Sequence, residues 1–187
     1  MLKRIVFGVV LASAAAGAFA ESYTVEPRHT SVVWAVNHLG TSTYRGKFNK
    51  TSGKVVLDTA AHTGSVDITI DATGLLTGDP QLDKHLAAED FFNVPKFATV
   101  TFKSTKVDFN GATPSKIEGN LTLLGVSKPV TLTVTSFNCK MHPAFKKDYC
   151  GADATATIKR TDWGIKYGVP NVGDEVKLDI QIEAIKD

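Results

Sequence analysis

The chemistry available to this chain rests on its five histidines and two cysteines. His29 and His38 bracket an alternating apolar run in "HTSVVWAVNHLG". On a strand rising about 3.3 Å per residue they stand roughly 30 Å apart, and their odd separation puts them on opposite faces. They therefore cannot share a metal or act as one catalytic pair. His29, just after Pro27, falls at a strand entrance, where a hydrogen bond to the backbone is expected. His38 ends the strand on the face of Trp34, placed to meet a polar ligand group at a rim. His85 lies near Asp83 and Asp90, a proximity that any soluble domain offers. There is no G-x-S-x-G elbow, H-E-x-x-H, Walker loop or dinucleotide fingerprint. A lipid hydrolase or isomerase would have to work through His38 or His85 alone, and the expectation is a protein that is not an enzyme.

The second cluster is "CKMHPAFKKDYC". Cys139, Met141, His142 and Cys150 are soft or borderline ligands that together could hold copper or haem iron. The spacing fits no zinc pattern, nor the C-x-x-C-H of haem attachment. In an oxidising compartment a Cys139–Cys150 disulfide forms first and removes both thiolates. It would stabilise the fold by roughly 3 kcal/mol. No metal and no cofactor is expected, and a redox or metal-handling partner acting through residues 139–150 stands as the alternative function.

Export is read from the start of the chain. "MLKR" is a basic opening, Ile5 to Phe19 an alanine-rich apolar run, and Ala18 to Ala20 a small-x-small cleavage site. Residues 1–20 are expected to be a cleavable signal peptide, with residues 21–187 forming one domain in the periplasm. Of 21 Lys and Arg, two (Lys3 and Arg4) lie in this leader, leaving 19 against 19 Asp and Glu. A near-neutral chain with scattered charges has no electrostatic footprint for nucleic acid.

The elements that must position these groups are strands. In "EVKLDIQIEA", Val176, Leu178, Ile180 and Ile182 alternate with charged or polar residues, as an antiparallel strand with one wet face requires. "SVDITID", "VTLTVTS", "NLTLLG" and "TVTFKS" repeat the pattern. In "TFKSTKVDF" the apolar phase slips, which predicts a bulge near Thr105. Turn signals stand at Gly53, Asn110-Gly111, Gly125, Lys128-Pro129 and Gly173-Asp174. "GDPQLDKHLAAEDFFN" breaks the alternation. Asp79 is a candidate N-cap, Pro80 opens a helix, and Leu82, His85 and Leu86 share one face. Eight or nine strands and a short helix predict an all-β sandwich or barrel. In "ADATATIK", Ala152, Ala154 and Ala156 share one face. If they point inward opposite Trp34, Phe48 and Phe102, the interior either interlocks or leaves a lumen.

The order of motifs resembles the YceI-like, polyisoprenoid-binding family of exported bacterial proteins. The matching pieces are "YTVEPRHTSVVWAVNHLG", "YRGKFNKTSGKVVLD", "TGDPQLDKHLAAEDFFNVPKFATVTFKS", "IEGNLTLLGVSKPVTLTV" and "IKRTDWGI" followed by "VGDEVKLDIQIEA". They span essentially all of residues 21–187. Trp34 departs from the pattern, which usually has Phe there. A bulkier ring would narrow a lumen. The resemblance implies an elongated eight-stranded antiparallel lipocalin-like barrel with one or two short helices. It also implies a long apolar ligand: a polyisoprenoid, an isoprenoid quinone or a fatty-acid derivative. Carried over position by position, the lining is Val32, Trp34, Val36, Phe48, Ile68, Phe102, Leu121, Leu132, Val134, Leu178 and Ile180. His38, Leu82, Leu86, Ala154 and Ala156 join it, and Phe91, Phe92 and Phe97 close or guard an end. The partner is a hydrophobic small molecule, with transient membrane contact for loading and a strand edge that could support a homodimer.

Overall fold

The computed structural model describes residues 20–187. The expected leader, Ala20 apart, lies outside the described residues. Eleven strand segments make one continuous antiparallel sheet. They are β1 (Glu21–Val25), β2 (Ser31–His38), β3 (Ser42–Phe48), β4 (Thr51–Asp58), β5 (Thr63–Asp71), β6 (Leu75–Leu76), β7 (Thr99–Asn110), β8 (Thr113–Leu123), β9 (Val126–Met141), β10 (Asp148–Lys159) and β11 (Val172–Lys186).

Eleven segments give eight staves because three staves are interrupted. β11 pairs with β1 at Val25↔Ala184 and with β2 at Ser31↔Gln181, so β1 and β2 are one stave broken at Glu26–Thr30. β3 and β4 form the next stave, broken at Asn49–Lys50, and β5 continues into β6. Each stave then pairs with its neighbour in sequence, and β11 closes onto β1. The result is an eight-stranded up-and-down barrel, in which β3 meets β6 only at Lys47–Phe48 and its Ser42–Gly46 portion pairs with β2 alone among the described residues.

The expected bulge is present: the β7–β8 register slips between Ser104 and Lys106, leaving Thr105 unpaired. Three expected turns are strand instead. Gly53 lies inside β4, where a Cβ would stand 2.2 Å from the Asp67 carbonyl, so glycine serves a close crossing there. Pro129 pairs with Asn120 inside β9, and the reversal occurs at Leu124-Gly125, with Gly125 at φ 74°. Gly173-Asp174 lies in β11 at a register irregularity.

The helix α1 (Pro80–Leu86) follows β6. The Asp79 carboxylate accepts from the backbone N–H of Gln81 at 2.8 Å and Leu82 at 3.4 Å, and Pro80 occupies the first turn. Its Leu86 is buried in the core, and Leu82 packs beside it. The helix therefore lies across the upper end of the barrel, where the turns after β2, β8 and β10 also meet. The lower end carries Glu21, Asp187 and the β9–β10 hairpin. There Cys139 and Cys150 pair directly across the ladder and form the expected disulfide.

Candidate ligand-binding site

The inward side chains do not meet at the barrel axis. They enclose two chambers of about 460 Å³ and 140 Å³. Four residues line both: Val32 on β2, Ile70 on β5, Leu121 on β8 and Leu178 on β11. They come from four different staves, so the chambers are stacked along the axis on either side of a ring of four apolar side chains.

The lower chamber is apolar throughout. Ile68, Phe102, Leu132, Val134, Ala154 and Ile180 line it, with Val66, Ile117, Val130, Phe137 and Ile182. The upper chamber combines apolar walls with polar groups near its end. Trp34, Val36, Phe48, Leu82, Leu86, Phe91 and Phe92 supply apolar surface, while His38, Tyr44, Asp79, His85, Arg160 and Tyr167 supply polar atoms. Phe92 meets Phe48 edge-on at 5.1 Å, and His85 sits edge-on to Phe91 at 5.0 Å and to Tyr167 at 5.4 Å. These contacts tie the segment after α1 to the barrel wall and to the loop of residues 164–171.

Most residues of the expected lining surround one chamber or the other; two do not. Phe97 packs outside, over the β8–β9 turn: a Cβ on Gly125 would stand 3.1 Å from its Cε1, and Lys96 Nζ lies 5.3 Å from its ring. Ala156 packs against the core but borders neither chamber. The alanine face is placed differently from the expectation. Ala152 and Ala154 border the lower chamber together with Phe102, whereas Trp34 and Phe48 border the upper one. Barrel staves tilt against the axis, so residues facing each other across the lumen are displaced along it, an offset that alternation alone does not contain.

Arg160 is the residue that pattern reading missed. It is 6% exposed and follows β10. Its guanidinium donates to the carbonyls of Gly173 (2.8 Å), Ile165 (3.2 Å), Tyr167 (2.8 Å) and Val172 (2.9 Å). Five donors in a planar fork suit such a spread of acceptors. Burial pushes its pKa down, and the Asp174 carboxylate nearby pushes it back up. Asp174 in turn accepts from the Thr161 N–H at 3.0 Å and its hydroxyl at 2.9 Å. Arg160 thus holds the 164–173 loop in place beside the upper chamber. The available signal was a basic residue in phase with Ala152, Ala154, Ala156 and Ile158 on the inward face, in "IKRTDWG".

The histidines separate as their spacing required. His38 and His85 both line the upper chamber. His38 packs near Tyr44, with ring centroids 6.3 Å apart. His29 ends a short 3-10 turn, Pro27–His29, at the break between β1 and β2. Its Nδ1 lies 2.8 Å from Glu26 and 3.7 Å from Glu183, so its partners are carboxylates rather than the expected backbone group. The Glu26 carboxylate also accepts from the backbone N–H of Arg28 and His29, a reciprocal cap that fixes the break. In the 139–150 segment both sulfurs are taken up by the disulfide, and His142 Nδ1 accepts from the N–H groups of Ala144 and Phe145.

A closed eight-stave barrel with a lidded apolar lumen matches the YceI-like domain, whose family model covers residues 23–184. The chain belongs to this YceI-like family. It is 35% identical over 192 residues to a UPF0312 protein of Pseudomonas aeruginosa, with both chains fully covered. It is 33% identical over 189 residues to one of Shewanella putrefaciens, covering 100% of this chain and 97% of that one. Among solved structures it resembles Burkholderia cenocepacia BcnA at a TM-score of 0.72 and 25% identity, over 85% of this chain and 98% of that one. A polyisoprenoid binding domain from Saccharophagus degradans shares the fold at a TM-score of 0.65 and 14% identity, over 89% of this chain and 99% of that one. The YceI-like, lipocalin-like architecture is therefore that of the whole described chain.

Proposed function

We propose that this YceI-like protein is a carrier in the periplasm that holds a long apolar lipid in its barrel. The ligand classes are a polyisoprenoid, an isoprenoid quinone or a fatty-acid derivative. The observation that carries this reading is the pair of stacked chambers sharing Val32, Ile70, Leu121 and Leu178, apolar below and polar only near the lidded end. A chain enters the lower chamber past these four side chains, and its head group stays among His38, Tyr44, Asp79, His85 and Tyr167. The larger chamber's volume falls within the range of small-molecule sites, about 300–1,000 Å³.

Burying about ten methylenes gains roughly 8 kcal/mol gross at 0.8 each. Ordering the chain takes back part of this. Binding of this kind requires no catalytic group. His38 and His85 have aromatic neighbours rather than a carboxylate partner among the described residues, which supports binding over catalysis. Discrimination between chain lengths is modest, since one methylene changes binding by about 1–3 kcal/mol. Loading proceeds through transient membrane contact, and no resident cofactor is required.

Native and denaturing mass spectrometry on protein purified gently from its own cells tests this reading. The expected result is a mass excess that survives native ionisation and is recovered in an organic extract as a prenyl or acyl lipid. Protein that stays empty after incubation with prenyl and acyl lipids overturns it.

A further inference from the structure

The exposed large apolar residues are unevenly distributed. Leu39 (57% exposed), Tyr167 (52%), Val169 (37%), Val126 and Leu76 lie at the lidded end, while Met141 and Phe145 lie on the hairpin at the other. Leu39 and the 164–171 loop form one ridge. The Leu39 N–H donates to the Asn171 carbonyl at 2.9 Å, and His38 pairs with Val172. Tyr167 on the same loop also lines the upper chamber, so the ridge is continuous with the mouth.

Leu39 conflicts with its local backbone. Its φ is 57°, in the left-handed region, where glycine or asparagine is favoured and a leucine side chain is costly. Burial does not offset that cost, because the side chain is more than half exposed.

The chain segments that build the ridge carry cations and no carboxylate. No Asp or Glu occurs from Pro27 to Leu57, from Gly119 to Lys147 or from Trp163 to Gly173. Arg45, Lys128 and Lys166 lie in these stretches, and none makes an ion pair among the described residues. The carboxylates of this end, Asp79, Asp83, Glu89 and Asp90, belong to α1 and its C-terminal side. Asp162, Asp174 and Glu175 flank the 164–171 loop at its base, Asp174 accepting from Thr161 and Glu175 standing opposite Lys159 in the ladder.

We infer that the Leu39–Tyr167–Val169 ridge docks on an anionic phospholipid surface, apolar tips in the acyl boundary and cations against the head groups. The barrel leans so that the β2–β3 turn enters first and the acidic side of α1 stays in water. This rests on the lipid-carrier reading and names the surface through which loading occurs. Each cation near an anionic bilayer contributes about fivefold in affinity, and burying one leucine contributes roughly tenfold.

The test is co-sedimentation of the mature protein with vesicles of phosphatidylcholine alone, or of phosphatidylcholine and phosphatidylglycerol in equal parts. Leu39→Asn and Lys166→Glu are compared with the parent protein; neither position lines a chamber, and asparagine suits the backbone at residue 39. The expected result is binding that needs phosphatidylglycerol, weakens with salt, and falls roughly tenfold in Leu39→Asn and about 25-fold in Lys166→Glu, which changes the charge by two units. Parent protein that ignores both vesicles, or variants that bind as the parent does, overturn the docking surface. A parent dimer that Leu39→Asn dissociates also overturns it, assigning the ridge to a second copy. Binding of a fluorescent acyl probe in vesicle-free solution is measured in parallel. Loss of the probe signal alone counts against the carrier reading and leaves the docking result standing.

Discussion

Trp34 and Gly46 face each other across the β2–β3 ladder, and the indole lies so close over the glycine that a Cβ there would stand 2.2 Å from Cζ2. The large ring is accommodated within the wall because its cross-strand neighbour has no side chain. The bulk expected to narrow the lumen is thus partly taken up by the sheet. Gly46→Ala should drive the indole into the upper chamber, destabilising the protein by about 1–3 kcal/mol. Urea unfolding and the Trp emission maximum report it. Unchanged lipid capacity would mean that the ring has another place to go.

The same indole has a buried Nε1–H with no acceptor among the described residues, whereas Trp163 Nε1 donates to the Leu121 carbonyl at 3.2 Å. An unpaired buried donor costs about 1–3 kcal/mol. Trp34→Phe should therefore leave stability within about 1 kcal/mol of the parent while enlarging the chamber, and Trp163→Phe should lose about 1 kcal/mol or more. Equal losses in the two variants would contradict this.

Ala154, buried beside Val134 and Ile180, borders only the lower chamber. Ala154→Trp should fill it at a cost of about 1–3 kcal/mol. Competition between short and long acyl chains is the check: long chains should lose affinity and short ones keep it. Uniform loss would place the chain elsewhere.

Arg160 ties two carbonyls of the 164–171 loop, those of Ile165 and Tyr167, to two at the start of β11, those of Val172 and Gly173. Arg160→Gln should cost about 3 kcal/mol or more, since hydrogen bonds to a charged group are worth about 1.5–3 kcal/mol each. Lysine should rescue little, because a point charge cannot span the acceptors. Limited proteolysis should cut the variant first within residues 164–173; cleavage elsewhere would assign Arg160 a different role.

Acid sensitivity follows from two carboxylates. Hydrogen bonds from Lys54, Ser22 and Thr24 hold Asp187 well below the usual carboxylate range, and the Thr161 N–H, then its hydroxyl and Arg160, lower Asp174. A lowered folded pKa gives stability that is complete above the unfolded value, about 3.9, and lost as pH falls through the folded one. Thermal unfolding should be flat down to about pH 4 and weaken below it. Asp187→Asn should flatten that decline; an identical pH profile would remove Asp187 from the account.

The fold was largely legible because period-two alternation reports which side of a strand meets water, whatever the strand pairs with. The Asp79-Pro80 start of α1 and the Thr105 bulge were legible for the same local reason: a cap and a phase slip are written in adjacent residues. Interruptions inside a stave were not. Gly53 and Pro129 read as turns because their backbone preferences were visible while their cross-strand neighbours, Asp67 and Asn120, were not.

For the site, the sequence determined which faces are apolar and which residue types could line a lumen. Only the tertiary structure decided how that lining divides. Stave tilt displaces Ala154 from Trp34 along the axis, the segment after α1 sends Phe92 inward and Phe97 outward, and Arg160 closes a loop over four carbonyls. Those relations depend on residues far apart in the chain meeting at fixed distances, and only closure of the barrel sets those distances.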